Sequence, residues 1–412
     1  MVDIECKLCN KIIKFDENSP DTYLSKTESG NAMIGKLFTF RVSHKLEDNI
    51  QHINVVVIDQ NGEYRAHKDY YEEVTEKGST DLWDKLVRQF PIELRPYLNL
   101  ASNDDKILLS TNLEEPFNKS IEEWYYSFKD LKEKYPMNRL INLFSVRWNF
   151  IIGKHKELLN EDILPNPWSF PQYLRLKARF SPSPDLIDKI NEIDTNNLPI
   201  LIQIETKVAK SEIYLRLGRT DLLESLYEEI YEKWDRESSI ETKTGLMLVQ
   251  AYYSFGLCTL GKIKKALNLV EPSFNFGEIL ENREIISIAG NFFAAILQAG
   301  GELDKALEIY NIVLETSKEI GDERMQAVIL TNISIIESKQ GLYDKALKRQ
   351  KSILKLPIVQ EEYYLKSSLQ GIIGETLFIA ERYEESIELC KNILSEEHVS
   401  TYYKSQALST LK

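Results

Sequence analysis

The residues with the strongest claim to chemistry are Cys6 and Cys9. In Cys6-Lys7-Leu8-Cys9 the two thiols stand at the spacing of one zinc-ribbon knuckle, and a structural zinc closes on four ligands. A second cysteine pair is missing. His44 and His52 flank a short loop between two expected strands, so Cys6, Cys9, His44 and His52 complete the set if the knuckle folds over that loop, with His67 as a spare. The alternative is a core histidine at 44 and no cofactor. A thioredoxin-like role requires a buried strand before the CxxC and a helix after it, and only five residues precede Cys6. The chain has no phosphate-cradling glycine loop, HExxH or GxSxG. The acidic pairs Glu361-Glu362, Glu384-Glu385 and Glu396-Glu397 fall on amphipathic helices, where a solvated face accounts for them. Catalysis is not expected.

The elements that would position these side chains differ between the two halves. From Leu37 to His44 the pattern alternates, with Phe38, Phe40, Val42 and His44 on one face. His52 to Asp59 reads as a more buried neighbour, and Asn61-Gly62 before Tyr64-Arg65-Ala66-His67 supplies the positive φ values of a tight hairpin. Gly35 to Val42 is similar to an RNA-binding strand with aromatic platforms, but no second aromatic strand follows and a core face accounts for it better. From Asp81 to Leu159 the period becomes helical through Leu82, Leu86 and Phe90, then Trp124, Phe128 and Leu131, then Leu140, Leu143, Phe144 and Trp148, with a strand-like Ile107-Leu108-Leu109 between. Five prolines with Trp168, Phe170 and Phe180 between Pro165 and Pro184 predict a packed connector without long regular structure. Eleven of the 13 prolines precede residue 200, whereas 12 of the 17 glycines follow it, at spacings that suit helix ends. The expected organisation is a small β-containing domain over 1–80, a helical region over 81–164, a connector over 165–198 and a repeat array over 199–412.

Composition bounds the function. A net charge of -13 disfavours nonspecific attraction to nucleic acid or to an anionic membrane. No apolar run approaches spanning length and the first residues carry no leader pattern, so a cytoplasmic protein is expected. Four cysteines in 412 residues are not a disulfide framework.

The array announces itself by a period. Gly261-Lys262-Ile263-Lys264-Lys265-Ala266-Leu267 returns 40 residues later at Gly301 and again at Gly341; Glu381 opens a fourth copy without the glycine, and Gly218 opens an earlier one at an offset of 43. Repeats of this length stack. Seven residues before each turn stand Ser211, Ser254, Ala294, Ser334 and Gly374; five residues after it stand Leu223, Ala266, Ala306, Ala346 and Ser386. Small side chains at matched distances let two antiparallel helices cross closely. The turn pattern Gly-x-Tyr/Leu-x-x-Ala-Leu and the small residue of the first helix resemble the tetratricopeptide repeat family. The 40-residue spacing is similar to its long-helix variants.

That resemblance implies a C-terminal α-solenoid of antiparallel helix hairpins; with the strand signals ahead of it, the expected fold is mostly α, the solenoid preceded by a small α+β N-terminal domain. It also implies a concave surface, lined by the first helices, that holds a peptide or a partner helix. In phase, the candidates are Ala251, Phe255 and Cys258, then Asn291, Ala295 and Gln298, then Thr331, Ile335 and Ser338, then Gly371, Glu375 and Phe378. The family's lysine and asparagine clamp on a terminal carboxylate is not among them. The expected function is a non-catalytic adaptor or scaffold with a protein or peptide partner. The alternative is a regulatory sensor whose array binds a peptide or small ligand and controls the N-terminal half.

Overall fold

The structure is a computed structural model and describes residues 2–5, 12–16, 18–19, 25–31, 35–47, 50–59, 64–73, 83, 86–87, 90–91, 93–113, 119–153, 166–234 and 239–395. The chain divides into two compact units, Met1–Phe90 with Glu232–Lys243, and Pro91–Tyr231 with Thr244–Lys412.

In the first unit, β1 (Val2–Glu5) pairs antiparallel with β2 (Ile12–Phe15). A four-stranded antiparallel meander follows in the order β3 (Ser25–Asn31), β4 (Gly35–Glu47), β5 (Ile50–Asp59), β6 (Tyr64–Glu73). The alternation in β4 turns Phe40 and Val42 to one face, where they are buried with Val56 and Phe15. The Phe15 and Phe40 rings meet edge to face at 5.0 Å. Ile58 stands opposite Tyr64 across the β5–β6 connection; Asn61-Gly62 itself lies outside the described residues. Strand β3, Ser-Lys-Thr-Glu-Ser-Gly-Asn, has no apolar alternation to read.

The second unit is helical. Ser102 and Ser120 cap α1 (Asn103–Asn112) and α2 (Ile121–Lys134) with full capping boxes, each hydroxyl accepting from the third helical amide while Asp105 or Glu123 reaches back. Asn138 caps α3 (Arg139–Ile151), in which every residue except Arg139 and Asn142 is buried. A helix enclosed on all sides is a core element. Two readings are corrected here. Ile107-Leu108-Leu109 lies within α1, since the cap at Ser102 starts a helix that the short apolar run only continues. The proline-rich stretch folds as α4 (Phe170–Phe180) and α5 (Asp185–Asn191). Pro171 falls in the first turn of α4, where a missing amide hydrogen costs nothing.

The array continues in helix pairs: α6 (Ile200–Arg216) and α7 (Thr220–Trp234), α8 (Ile240–Thr259) and α9 (Ile263–Ile279), α10 (Arg283–Ala299) and α11 (Leu303–Glu319), α12 (Glu323–Lys339) and α13 (Tyr343–Leu354). The short α14 (Pro357–Glu361) is inserted before α15 (Tyr363–Ile379) and α16 (Tyr383–Ser395). The turn residues Gly218, Gly261, Gly301 and Gly341 all take positive φ, and Glu381 takes φ 61 at the equivalent place. There Glu381 N bonds Phe378 O at 3.0 Å and Arg382 N bonds Leu377 O at 2.9 Å, as Gly341 N and Leu342 N bond Ser338 O and Glu337 O. The closing geometry is thus retained and a glutamate is forced into it.

The small residues are buried. Ser211, Ser254, Ala294 and Ser334 are fully buried, as are Ala266, Ala306 and Ala346, and the Ser386 hydroxyl donates to Gly374 O at 2.9 Å across the last pair. The Ser211, Ser254 and Ser334 hydroxyls bond carbonyls three residues back in their own helices, so they sit in dry contact without an orphan donor. Leu223, the large exception, is accommodated by Gly256 of the next first helix: a Cβ built there would lie 3.3 Å from Leu223 Cδ2.

The row of first helices, α4, α6, α8, α10, α12 and α15, is strongly curled. Packed helices lie about 8–10 Å apart, so α4 and α10 in a flat row would be separated by three such spacings. Yet the Arg175 guanidinium on α4 bonds Glu212 on α6, Tyr252 on α8 and Glu284 on α10. One side chain cannot span a flat row of four helices. The α3 helix lies inside this curl, with the Arg175 and Arg179 guanidiniums 4.8 and 4.9 Å from the Phe150 ring centroid.

Candidate binding surface

The expected strip runs along the first helices and is unevenly accessible. Phe255 and Cys258 on α8 are half-buried, as are Asn291, Ala295 and Gln298 on α10, Ile335 on α12 and Gly371 on α15; Glu375 and Phe378 are exposed. Ala251, Thr331 and Ser338 are buried, and the Thr331 hydroxyl donates to Ala327 O at 2.8 Å. Phe255 stacks on Phe292 of the next first helix with ring centroids 4.7 Å apart. Asn332 Nδ2 donates to Asn291 Oδ1 at 3.2 Å, which leaves the Asn291 amide hydrogens and the Asn332 carbonyl for a further partner. Gln298 Oε1 accepts from the Tyr310 hydroxyl at 3.3 Å. Phe378 meets Tyr383 edge to face. Phe292 and Asn332 each lie one residue beyond the chosen positions 291 and 331.

At the inner end of the strip is a buried ionic hub absent from the sequence reading. The Tyr97 hydroxyl donates to Glu205 Oε1. Arg147 of α3 donates to Glu205 Oε2 at 3.4 Å, to Glu284 Oε1 at 3.2 Å and also to Glu284 Oε2. Arg175 Nε donates to Glu212 Oε2 at 2.7 Å, and the Tyr252 hydroxyl donates to the same oxygen at 2.6 Å. Arg179 holds both Glu212 oxygens. Burial works to raise the Glu212 pKa, but the Arg179 and Arg175 charges outweigh it and hold it well below the carboxylate range. Against the same burial, Arg147 and Arg175 hold Glu284 at about 2. Glu205 goes the other way: burial, with the Glu284 charge beside it, exceeds the pull of Arg147 and raises it. The hub could have been sensed in the sequence. The strip position of Phe255, carried back one repeat by the 43-residue offset, lands on Glu212.

The acidic pairs resolve into ordinary partners. Glu362 takes a two-pronged bond from Arg324, and Glu385 takes one from Arg382. Glu396 and Glu397 lie outside the described residues. Of the zinc candidates, His44 and His52 are register partners across β4 and β5, and Cys6 and Cys9 lie outside the described residues. No helix among the described residues is long and apolar enough to cross a membrane.

Comparison with the curated proteins gives no match. Among solved structures, the chain is similar to a Rap protein crystallised with the competence and sporulation factor, at 12% identity over 80% of this chain and 95% of that one, with a TM-score of 0.41. A superposition of that quality bears on neither ligand nor site. A model of the tetratricopeptide repeat family matches residues 284–357, the span from α10 to Pro357. Residues 284–357 thus carry tetratricopeptide repeats, and the helix pairs on either side have the same positive-φ turns, at Gly218, Gly261 and Glu381.

Proposed function

We propose that this chain is a non-catalytic protein-interaction adaptor that takes an extended peptide or a partner helix along the inner strip of α8, α10, α12 and α15. The observation that supports it is the pairing of Asn291 with Asn332 on neighbouring first helices, beside the Phe255–Phe292 stack. An amide donor and an amide acceptor beside aromatic surface suit a peptide backbone and an apolar anchor. Residues 1–80 are proposed as a separate β-containing domain ahead of the helical region 81–164, with the binding function in 199–412. The test is affinity capture with the full chain against a Phe255→Asp/Phe378→Asp variant. Partners retained by the parent chain should be lost from the variant; equal recovery removes the strip from consideration.

A second reading, a ligand-responsive sensor, draws on one further observation. Arg147 and Tyr97, which precede the array, are bonded to carboxylates of α6 and α10. A ligand that repositions those helices changes the hold on residues 93–153. Limited proteolysis with and without a captured partner checks this: cleavage within 93–153 should change on binding, and an unaltered pattern rejects it.

A further inference from the structure

The last described helix pair ends on an apolar face. Phe378 and Ile379 close α15, Tyr383 and Ile387 lie on α16, and all four are exposed, at 45%, 48%, 49% and 40%. At three of these positions the earlier pairs are covered. In the 40-residue register the equivalents of Phe378 are Cys258 and Gln298, half-buried, and Ser338, buried. Those of Tyr383 are Ile263, Leu303 and Tyr343, all half-buried, and those of Ile387 are Leu267 and Leu307, half-buried, and Leu347, 3% exposed. Leu347 shows what does the covering: it shares a core cluster with Leu369, Ile373 and Leu377, which recur every fourth residue along one face of the next first helix, α15. A terminal pair that receives nothing carries a polar outer face. Here the same places hold Phe378 and Tyr383 in edge-to-face contact and a branched aliphatic, Ile387.

Charge narrows the occupant. Glu375 stands one turn before Phe378 and Ile379, and Glu384 one turn before Ile387; both are exposed and neither forms an ion pair among the described residues. The α16 helix carries three glutamates and one lysine, and Arg382 engages only Glu385 of the three. A second copy of this face would set acidic rim against acidic rim in a chain of net charge -13. We propose that the outer face of α15 and α16 receives an amphipathic helix of a partner protein, apolar at every fourth residue and flanked by lysine or arginine. That helix packs where a further first helix would stand, its apolar stripe on Ile387 and its cations against Glu375 and Glu384. The site is independent of what the inner strip binds, since Ile387 lies on a second helix, off that strip.

Two synthetic helical peptides serve as the probe, both with leucine at every fourth position to match the spacing of Leu369, Ile373 and Leu377, one flanked by lysine and the other by glutamate. Fluorescence anisotropy follows their binding to the full chain. The parent should hold the lysine peptide about tenfold more tightly than the glutamate peptide, and Ile387→Asp should weaken that binding by about tenfold, the value of one buried aliphatic side chain. An added aspartate attracts a lysine peptide, so a loss reports the apolar contact and not the charge. Leu342→Asp, which puts the same charge at an exposed apolar residue of an earlier turn, should leave the affinity unchanged. Because Ile387 is exposed, its replacement leaves the fold standing, which circular dichroism checks; Ile387→Ala, which adds no charge, should show a smaller loss in the same direction. Equal affinity for the two peptides, undiminished affinity in Ile387→Asp, or an equal loss in Leu342→Asp overturns the inference. Phe255→Asp separates it from the adaptor reading: loss of the lysine peptide there, with retention by Ile387→Asp, puts the peptide in the inner strip and overturns the end-face site alone. Parent self-association in sedimentation velocity that Ile387→Asp abolishes gives the face to a second copy and overturns the inference. Faster amide hydrogen exchange of residues 396–412 in peptide-free Ile387→Asp gives the face to the chain itself and overturns it as well.

Discussion

Replacing Glu212 by glutamine keeps the shape of the side chain and removes one charge from the centre of the array. Its carboxylate accepts from Arg175 Nε at 2.7 Å, from Arg179 Nη2 at 2.8 Å and from the Tyr252 hydroxyl at 2.6 Å, and it is 1% exposed. Removing one partner from a buried ionic set costs about 3–5 kcal/mol, because the groups left behind stay desolvated and unpaired. Here the remainder is severe, since Arg175 and Arg179 stay enclosed with one anion fewer between them. The surface pair Arg219–Asp221 is the control: its bond lengths are similar, but its side chains are 46% and 60% exposed, and Asp221→Asn should leave the urea midpoint nearly unchanged. Urea denaturation followed by circular dichroism reads both variants, at low and at high salt. The Glu212→Gln loss should persist in salt, since enclosed charges are poorly screened, whereas the control should shrink. Acid adds a second reading. Glu212 and Glu284 have depressed folded pKa values, so their stabilisation is complete above the unfolded carboxylate range and is lost as pH falls through the folded values, which for Glu284 is about 2. The variant should therefore lose less stability between pH 5 and pH 2 than the parent chain. A cost below about 1 kcal/mol, or one that vanishes in salt, would show that water reaches the hub and would refute the curled arrangement built on it.

Four further outcomes follow from particular residues. Glu381→Gly should stabilise the chain by about 1 kcal/mol, because a non-glycine residue at φ 61 carries a left-handed penalty that glycine does not; an unchanged urea midpoint would contradict it. Gly290→Ala should cost about 1–2 kcal/mol in the same assay, since a Cβ there falls 2.6 Å from Val313 Cγ2 and the overpacking exceeds the gain in helix propensity. Gly374→Ala, whose Cβ would sit 3.6 Å from Cys390 Sγ, should instead be neutral or stabilising. Burial raises the Glu278 pKa to about 7, so folded protein favours its protonated form and stability falls as pH rises from about 4.5 to about 7; Glu278→Gln should remove that slope and exceed the parent chain in stability at pH 8.

The parts of this fold that were legible in the sequence are those fixed by local rules. The turn at Gly341 and the buried small residues Ser334 and Ala346 on either side of it depend on residues a few positions apart, so their 40-residue recurrence appears directly in the chain. Strand β4 was legible because one of its faces is buried and its pattern alternates, while β3 offers polar residues throughout. The α4 helix was hidden by its own prolines, which read as breakers until Pro171 is seen in a first turn. The hub was harder to read: Arg147, Arg175, Glu212 and Glu284 lie far apart in sequence, and only Glu212, in phase with Phe255, stands at a position that marks it. Only the curl brings them together. The candidate strip took buried Ala251, Thr331 and Ser338 together with accessible neighbours, since a repeat number places residues on a helix but does not say which of them the next helix covers.

The convergence of four helices on Arg175 has a mechanical consequence. A load that stretches the array end to end would have to rupture several charge-assisted bonds before α4, α6, α8 and α10 could separate, whereas α12 to α16 are tied to that node by no comparable knot among the described residues. The coil is therefore clamped most firmly at its first turns, where one guanidinium holds three neighbouring helices at once.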